Sequence, residues 1–295
     1  MPELPEVETI KIGLEKLIVN KTIESIKYNW PKSYPNSKSD TNNFVIGSKI
    51  ISVKRRAKIL LLELSSGYSL LIHLKMTGQL VYRKADFNFG AGHPTDSLVG
   101  KLPDKSTRVI IQFTTNSNLF FNDQRKFGWI KLVPTLEIQN IDFYKKFGPE
   151  PLSPDFTMQL FKKNLKRKNR SSIKAALLDQ SIVAGIGNIY ADESLWGAKI
   201  HPATLVDLVS SNKIKLLREE IINVLNLALK SGGSTDKNYV NAKGDKGSYL
   251  KFARVFRRQG LPCIRCNHII KKTKVAGRGT HYCPYCQRLK SYKKL

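Results

Sequence analysis

The sequence predicts a multidomain α+β protein: one opening helix, a β-rich first half, a helical segment after it and a small metal-held C-terminal segment. Three observations carry this. Apolar residues cluster in short strand-like runs up to about residue 133, recur at helical spacing from about residue 154, and all four cysteines fall in the last 33 residues. With 295 residues, 41% of them hydrophobic, the chain has room for about two domains and a sizeable core.

The opening helix is expected over residues 5–19, where Val7, Ile10, Leu14, Leu17 and Ile18 share one face. Strands follow at 50–64 and 69–76, separated by Ser65-Ser66-Gly67, and at 108–113 and 119–122, which flank a polar turn. If a strand begins in the run RRAKILLLEL at 55–64, alternation puts Lys58 on the face of Arg56 and opposite Arg55 and Ala57. Residues 83–107 are broken by Gly and Pro, show no period, and read as an exposed, mobile loop or insertion. Pro134, Gly148-Pro149 and Pro151 mark a linker, which divides the chain into 1–133, 134–153, 154–249 and 250–295. The clearest helix of the third part carries Ile214, Leu217, Ile221, Val224 and Ala228 and stops at Lys230 before Gly232-Gly233.

Lys and Arg outnumber Asp and Glu by 50 to 23, giving a net charge of +27. Such an excess points to a polyanion, either nucleic acid or an anionic membrane surface. No run of about eighteen apolar residues can span a bilayer. The start, rich in Pro and Glu, has neither the basic stretch nor the apolar core of a signal peptide. Nucleic acid is therefore the expected partner, and the cytoplasm the expected location, beside the nucleoid if the source is prokaryotic.

Cys263, Cys266, Cys283 and Cys286 are spaced C-x2-C, sixteen residues, C-x2-C. A disulfide framework would spread them through the fold; this spacing reads as four thiolates around one structural Zn2+. The terminal segment is too small to fold without that metal. His268 and His281 lie in the same segment and read as surface or packing residues, since four thiolates already complete the site.

The first residues, MPELPEVE, place Pro2 behind the start methionine among several carboxylates. Removal of Met1 would free a secondary amine able to attack an electrophilic sugar carbon and form an iminium, with Glu3 placed to move protons. The same residues also suit a plain helix start, because proline fits the first turn and acids fit its positive end. The helix dipole disfavours a protonated amine, Glu3 and Glu6 favour it, and an ordinary α-amine already titrates at ~8.

MPELPEVET, RRAK at 55–58, HLKMTG at 73–78, GIGNIYADE at 185–193 and VAGRGTHYC at 275–283 occur in one order with the cysteine pairs last. Together they resemble the formamidopyrimidine-DNA glycosylase family, the bifunctional enzymes that excise oxidised purines. The resemblance implies an N-terminal β-sandwich with a catalytic N-terminal helix, a C-terminal helix-two-turn-helix domain and a zinc ribbon. It implies that Pro2 attacks C1′ of the damaged nucleotide, releases the base, and as a Schiff base drives β- and δ-elimination. Glu3 matches the catalytic acid, Glu6 a second carboxylate that orients the site, and Lys58 a phosphate or base contact beside the sugar. Lys174 and Asn188 match phosphate contacts, with Asn188 also suited to cap a helix after the tight turn of Gly185 and Gly187. Glu193 matches a supporting residue, and Arg278, at the tip of the ribbon hairpin, matches the arginine that grips the backbone.

Met76, Arg125 and Phe127 match three wedge residues that fill the space of an extruded base, a need of any enzyme that works on a base outside the stack. By themselves Met76 and Phe127 would be assigned to a core. Two departures bear on opposite-base discrimination: DQRKFG at 123–128 where the family often has DPRRFG, and Ser106-Thr107-Arg108 where a His-Asp pair is often found. The segment Gly232 to Gly247 matches a loop that folds over the extruded purine. The implied partner is double-stranded DNA with an oxidised base or abasic site, for which a monomer suffices. An endonuclease VIII-like enzyme for oxidised pyrimidines and a non-catalytic zinc-ribbon nucleic-acid-binding protein are the competing readings.

Overall fold

The computed structural model describes residues 1–85, 87–93, 95–234 and 248–290. Two compact units emerge: Met1–Lys145 with Ser231–Ser248, and Lys146–Lys230 with Tyr249–Leu295. The division falls inside the expected linker. The C-terminal ribbon, expected as a domain of its own, belongs with the helices, and Ser231–Ser248 belongs with the first unit.

The first unit opens with α1 (Leu4–Ile18), whose Val7, Ile10, Leu14 and Ile18 are buried as the spacing required. There follow β1 (Ile23–Tyr28), α2 (Lys38–Phe44), β2 (Ile50–Arg56), β3 (Ile59–Leu64), β4 (Tyr68–His73), β5 (Gly78–Lys84), β6 (Phe87–Gly92), β7 (Thr107–Phe113), β8 (Ser117–Asp123), β9 (Trp129–Pro134) and the short α3 (Asp142–Lys145). All pairings are antiparallel, in a five-stranded sheet β1-β7-β8-β5-β6 and a four-stranded sheet β2-β3-β4-β9. Leu60, Leu62 and Leu64 of one sheet and Val109, Ile111, Phe113, Leu119 and Phe121 of the other alternate into a common core with α1. Strands whose every second side chain is apolar can bury one face each, and two such faces make a sandwich. A fully buried Leu or Phe contributes ~1.5–3 kcal/mol to that core.

The segment 83–107 departs from expectation. Its FNFGAG run forms β6 against β5, and Leu98 packs with Val81 and Phe120 on the outer face of the five-stranded sheet. Glycines hid the strand from any period, yet they make it fit. On the other partner, Gly13 of α1 leaves the Phe89 ring no room for a Cβ between them. An expected loop thus buttresses the helix that follows Pro2 and Glu3.

The second unit packs α4 (Met158–Lys166), α5 (Ile173–Leu178), α6 (Asn188–Gly197) and α7 (Ser211–Lys230) around an apolar cluster. Thr157 and Ser172 start α4 and α5 by accepting the N–H of Leu160 and Ala175, both at 3.2 Å. Buried Ile214, Leu217, Ile221, Val224 and Ala228 line α7 at the expected spacing. The unit ends in the hairpin β10 (Lys271–Val275) and β11 (Arg278–Tyr282). Among the described residues no helix is long and apolar enough to cross a membrane.

Candidate active site

In the first unit, Pro2 and Glu3 are buried at the start of α1, with Glu3 in the N-cap position. Glu6 fixes this end. Its Oε2 accepts the Glu3 N–H at 2.8 Å and its Oε1 accepts the Ser234 N–H at 2.7 Å. Glu6, grouped with the DNA-binding residues as a carboxylate that orients the site, is buried and spends both oxygens on backbone amides, an arrangement that positions rather than binds. The loop expected over an extruded base starts beside it, and from residue 235 to 247 lies outside the described residues.

Lys58 occupies the turn between β2 and β3, so the strand alternation assumed for it does not apply. Ala57 takes φ +54° there, and Arg55 ties the turn to α1: its Nε pairs with Glu8 Oε2 at 2.6 Å while an η-nitrogen donates to Ala57 O at 3.0 Å. Lys58 is buried. Burial, together with Lys75 and Lys58, pushes the His73 imidazole down to about 3, and its Nδ1 accepts the Lys75 N–H at 2.9 Å. His73 is therefore neutral near pH 7 and no proton donor to a reaction. Burial and the positive charge at the chain start also lower His93, which follows β6.

Met76 is half-buried in the turn between β4 and β5, and Arg125 and exposed Phe127 lie in the turn between β8 and β9. The Arg125 guanidinium stacks 4.8 Å from the Phe127 ring centre. Among the described residues Met76 is only half-buried and Phe127 is exposed, which speaks against the core assignment their residue types suggested. The departure at Ser106-Thr107-Arg108 is structural: Ser106 O accepts the Asp123 N–H at 2.8 Å and Arg108 Nε donates to Asp123 O at 2.8 Å.

In the second unit, Lys174 and Glu193 are both buried. Lys174 is fully buried, its Nζ 2.6 Å from Asp192 Oδ1 and 2.7 Å from Thr280 Oγ1. A cation sealed in this way cannot reach a phosphate. Glu193 is equally buried and accepts the N–H groups of Arg254, Val255 and Phe256 at 2.8, 2.9 and 2.7 Å. Burial raises its pKa while these amides and the Arg254 charge oppose the rise. Asn188 is the first residue of α6, with Gly187 as its N-cap, so it caps nothing; its Nδ2 donates to Gly279 O at 3.0 Å.

The bonds of Lys174 to Thr280 and of Asn188 to Gly279 end on the ribbon hairpin. Asp192 Oδ2 accepts the His281 N–H at 2.9 Å, so α5 and α6 grip β11 through Lys174, Asn188 and Asp192. Ala276 and Gly277, at φ +50° and +71°, make the two-residue turn, and Arg278 follows it with its side chain exposed. The tip position expected for Arg278 holds. Reasoning from sequence missed Asp123, Asp192 and Glu8, although all three sit inside the motifs MPELPEVET, DQRKFG and GIGNIYADE; carboxylates beside prolines, glycines and turn residues were the available signal.

The four cysteine sulfurs lie within 4.8 Å of one another. Tetrahedral Zn–S bonds of about 2.3 Å place sulfurs about 3.8 Å apart, so the cluster fits one ion. Burial and the neighbouring sulfurs push Cys286 up to about 12, the cost of crowding thiols that a divalent cation removes. Trp196 Nε1 donates to Cys263 Sγ at 3.4 Å, and Gln287 braces the Cys283 N–H at 2.8 Å. His268 stacks on Tyr285 and His281 packs on Phe256, so neither serves as a ligand.

Comparison with known proteins covers the whole chain. Family models match the formamidopyrimidine-DNA glycosylase N-terminal domain at residues 1–130, the H2TH domain of the same glycosylases at 147–239, and a zinc finger found in FPG and IleRS at 260–289. The formamidopyrimidine-DNA glycosylase of Ligilactobacillus salivarius is 41% identical over 99% of this chain and 100% of that protein. Two Lactococcus lactis Fpg structures are 36% identical over 97% of the chain with a TM-score of 0.86, covering 100% and 99% of their chains. One is a point mutant in complex with a Fapy-dG containing DNA and the other holds DNA with an abasic site.

Proposed function

Since the chain belongs to the formamidopyrimidine-DNA glycosylase family, we propose that it excises oxidised purines, 8-oxoguanine and formamidopyrimidines, and then cleaves the strand as an AP lyase. The observation that carries this reading is the pairing of Pro2 with Glu3 at a helix start fixed by Glu6, in a chain that matches the family from end to end. With Met1 removed, the Pro2 nitrogen attacks C1′ and the C–N bond to the base breaks, its electron pair leaving with the base. The proton of the attacking amine passes by way of solvent to the departing base anion, Glu3 protonates the ring oxygen, the sugar opens, and the nitrogen is left as an iminium. Loss of a C2′ proton then expels the 3′ phosphate, and a second elimination expels the 5′ phosphate.

Lys58 and Arg278 hold phosphates beside the reacting sugar; Met76, Arg125 and Phe127 fill the stack. Asn188 contacts phosphate, whereas Lys174, Glu193 and Glu6 act from behind by positioning. One zinc ion bound by Cys263, Cys266, Cys283 and Cys286 supplies the fold of the ribbon and no chemistry. The partner is double-stranded DNA carrying an oxidised base or abasic site, bound by a monomer, in the cytoplasm and at the nucleoid if the source is prokaryotic.

Borohydride trapping and nicking on duplexes with 8-oxoguanine opposite cytosine and with thymine glycol test the reading. Faster reaction on 8-oxoguanine is expected. Preference for thymine glycol would move the enzyme to the endonuclease VIII-like branch, and binding with no covalent product would leave a non-catalytic protein.

A further inference from the structure

Gly78 and Asp123 face each other as the last pair of the β5–β8 ladder. Beyond them the two strands part, one into the turn that carries Met76 and the other into the turn that carries Arg125 and Phe127. Asp123 is fully buried at this fork, and four donors converge on its carboxylate. Oδ1 accepts the Thr77 hydroxyl and the Arg125 N–H, the latter at 3.1 Å, and Oδ2 accepts the N–H groups of Phe127 at 2.8 Å and Gly128 at 2.7 Å. The Arg125 N–H is shared with Thr77 Oγ1 at 3.1 Å, so the two turns touch through one hydroxyl.

A carboxylate has about four acceptor sites, and here each has its donor. The backbone of the aspartate is held as well, by Ser106 O just before β7 and by Arg108 Nε within it. The turns are as tightly built as the clasp. A Cβ on Gly78 would run into the Leu74 backbone, and one on Gly128 would come within 2.6 Å of Phe121 and 3.0 Å of His73 O. Lys75 and Lys126, at φ +50° and +59°, occupy the left-handed region that costs a non-glycine residue about 1–2 kcal/mol. Lys126 further rests its ammonium 4.5 Å from the Trp30 ring centre.

We propose that Asp123 is a positioning residue that locks the Met76 turn and the Arg125–Phe127 turn into a single wedge, so that all three side chains enter the stack together. The inference rests on the reading of those three residues as stack-filling. Its mechanism is preorganisation: a wedge held rigid spends no binding energy on ordering two loops during extrusion. Asp123 touches no reacting atom, so its loss should slow base extrusion and spare the chemistry at the sugar.

The test uses the whole zinc-loaded enzyme with Asp123→Asn, Thr77→Val and Thr77→Ser. Asn turns one acceptor atom into a donor facing donors; Val removes the shared hydroxyl, and Ser restores it. Single-turnover excision is measured on 8-oxoguanine opposite cytosine, cleavage on a pre-formed abasic site, and stack opening by the fluorescence of 2-aminopurine placed beside the lesion. Expected for Asp123→Asn is a ~10- to 100-fold loss in excision with a delayed fluorescence rise, while abasic-site cleavage falls at most about twofold. Thr77→Val should show the same split more weakly and Thr77→Ser should match the wild type. Equal activity of wild type and both clasp-breaking variants on both substrates, or equal losses on both, overturns the proposal. Should Asp123→Asn fail to fold, the contrast of Thr77→Val with Thr77→Ser decides. A wild-type enzyme that cuts neither substrate overturns the proposed function, and the role of the clasp falls with it.

Discussion

At the level of single residues, the proposed chemistry rests on the Pro2 amine and the Glu3 carboxyl at the start of α1. Pro2→Ser should abolish borohydride trapping while retaining DNA binding, since the change replaces the ring-held secondary amine by a freely rotating primary one and leaves the phosphate contacts; a gel-shift beside the trapping assay checks both. Glu3→Gln should block base release, because an amide cannot donate the proton that opens the sugar. Its product assay on 8-oxoguanine should stay blank at enzyme excess. His73 offers a pH prediction. Its folded pKa of about 3 lies below the unfolded 6.5, so the unfolded chain binds the extra proton as pH falls. The stability from this site is complete above about 6.5 and is lost progressively towards 3. Denaturant melts should show a steeper loss below pH 6.5 for the wild type than for His73→Asn, which keeps an acceptor for the Lys75 N–H.

At the level of elements, hydrophobic period and cap chemistry identified α1 and α7 correctly because each is amphipathic and ends in recognisable residues. The same reasoning lost β6, whose glycines carry no apolar signal and whose partners, Gly13 and Leu98, are distant in sequence or set on its flank. It also put Lys58 in a strand, because the turn between β2 and β3 has no Gly, Pro, Asn or Asp to mark it and uses Ala57 at positive φ instead. Buried polar pairs were illegible for a different reason: Lys174 reads as a phosphate ligand until its partner Asp192 is seen. Removing one member of such a pair leaves a buried charge, so Asp192→Ala should cost ~3–5 kcal/mol and loosen the hairpin carrying Arg278. Urea melts and hydrogen exchange across 278–282 measure those effects. Cys283→Ser, or chelation of the zinc, should abolish DNA binding by unfolding the ribbon, while the circular dichroism signal of the β-sandwich is largely retained.

For the whole molecule, a net charge of +27 and the proposed phosphate contacts of Lys58 and Arg278 imply affinity that falls steeply with salt. Neutralising about six phosphates costs ~10³ in affinity between low and moderate salt, and Arg278→Ala should lower the logarithmic slope by about one. A titration of binding against salt reads both. The motif MPELPEVET is what points to the proposed amine of Pro2, and polyanion binding and the four-thiolate zinc site were legible in composition and short motifs, since each needs particular residue types. The clasp of Asp123 was not, because hydrogen bonds that join two turns have no period in sequence. The central claim is that the proline amine performs the covalent step. The most direct measurement is mass analysis of proteolytic fragments from the borohydride-reduced complex with an 8-oxoguanine duplex. The account predicts the DNA remnant on a peptide that begins at Pro2 with Met1 gone; a remnant on Lys58 or another lysine, or on an N-terminus that still carries Met1, would contradict it.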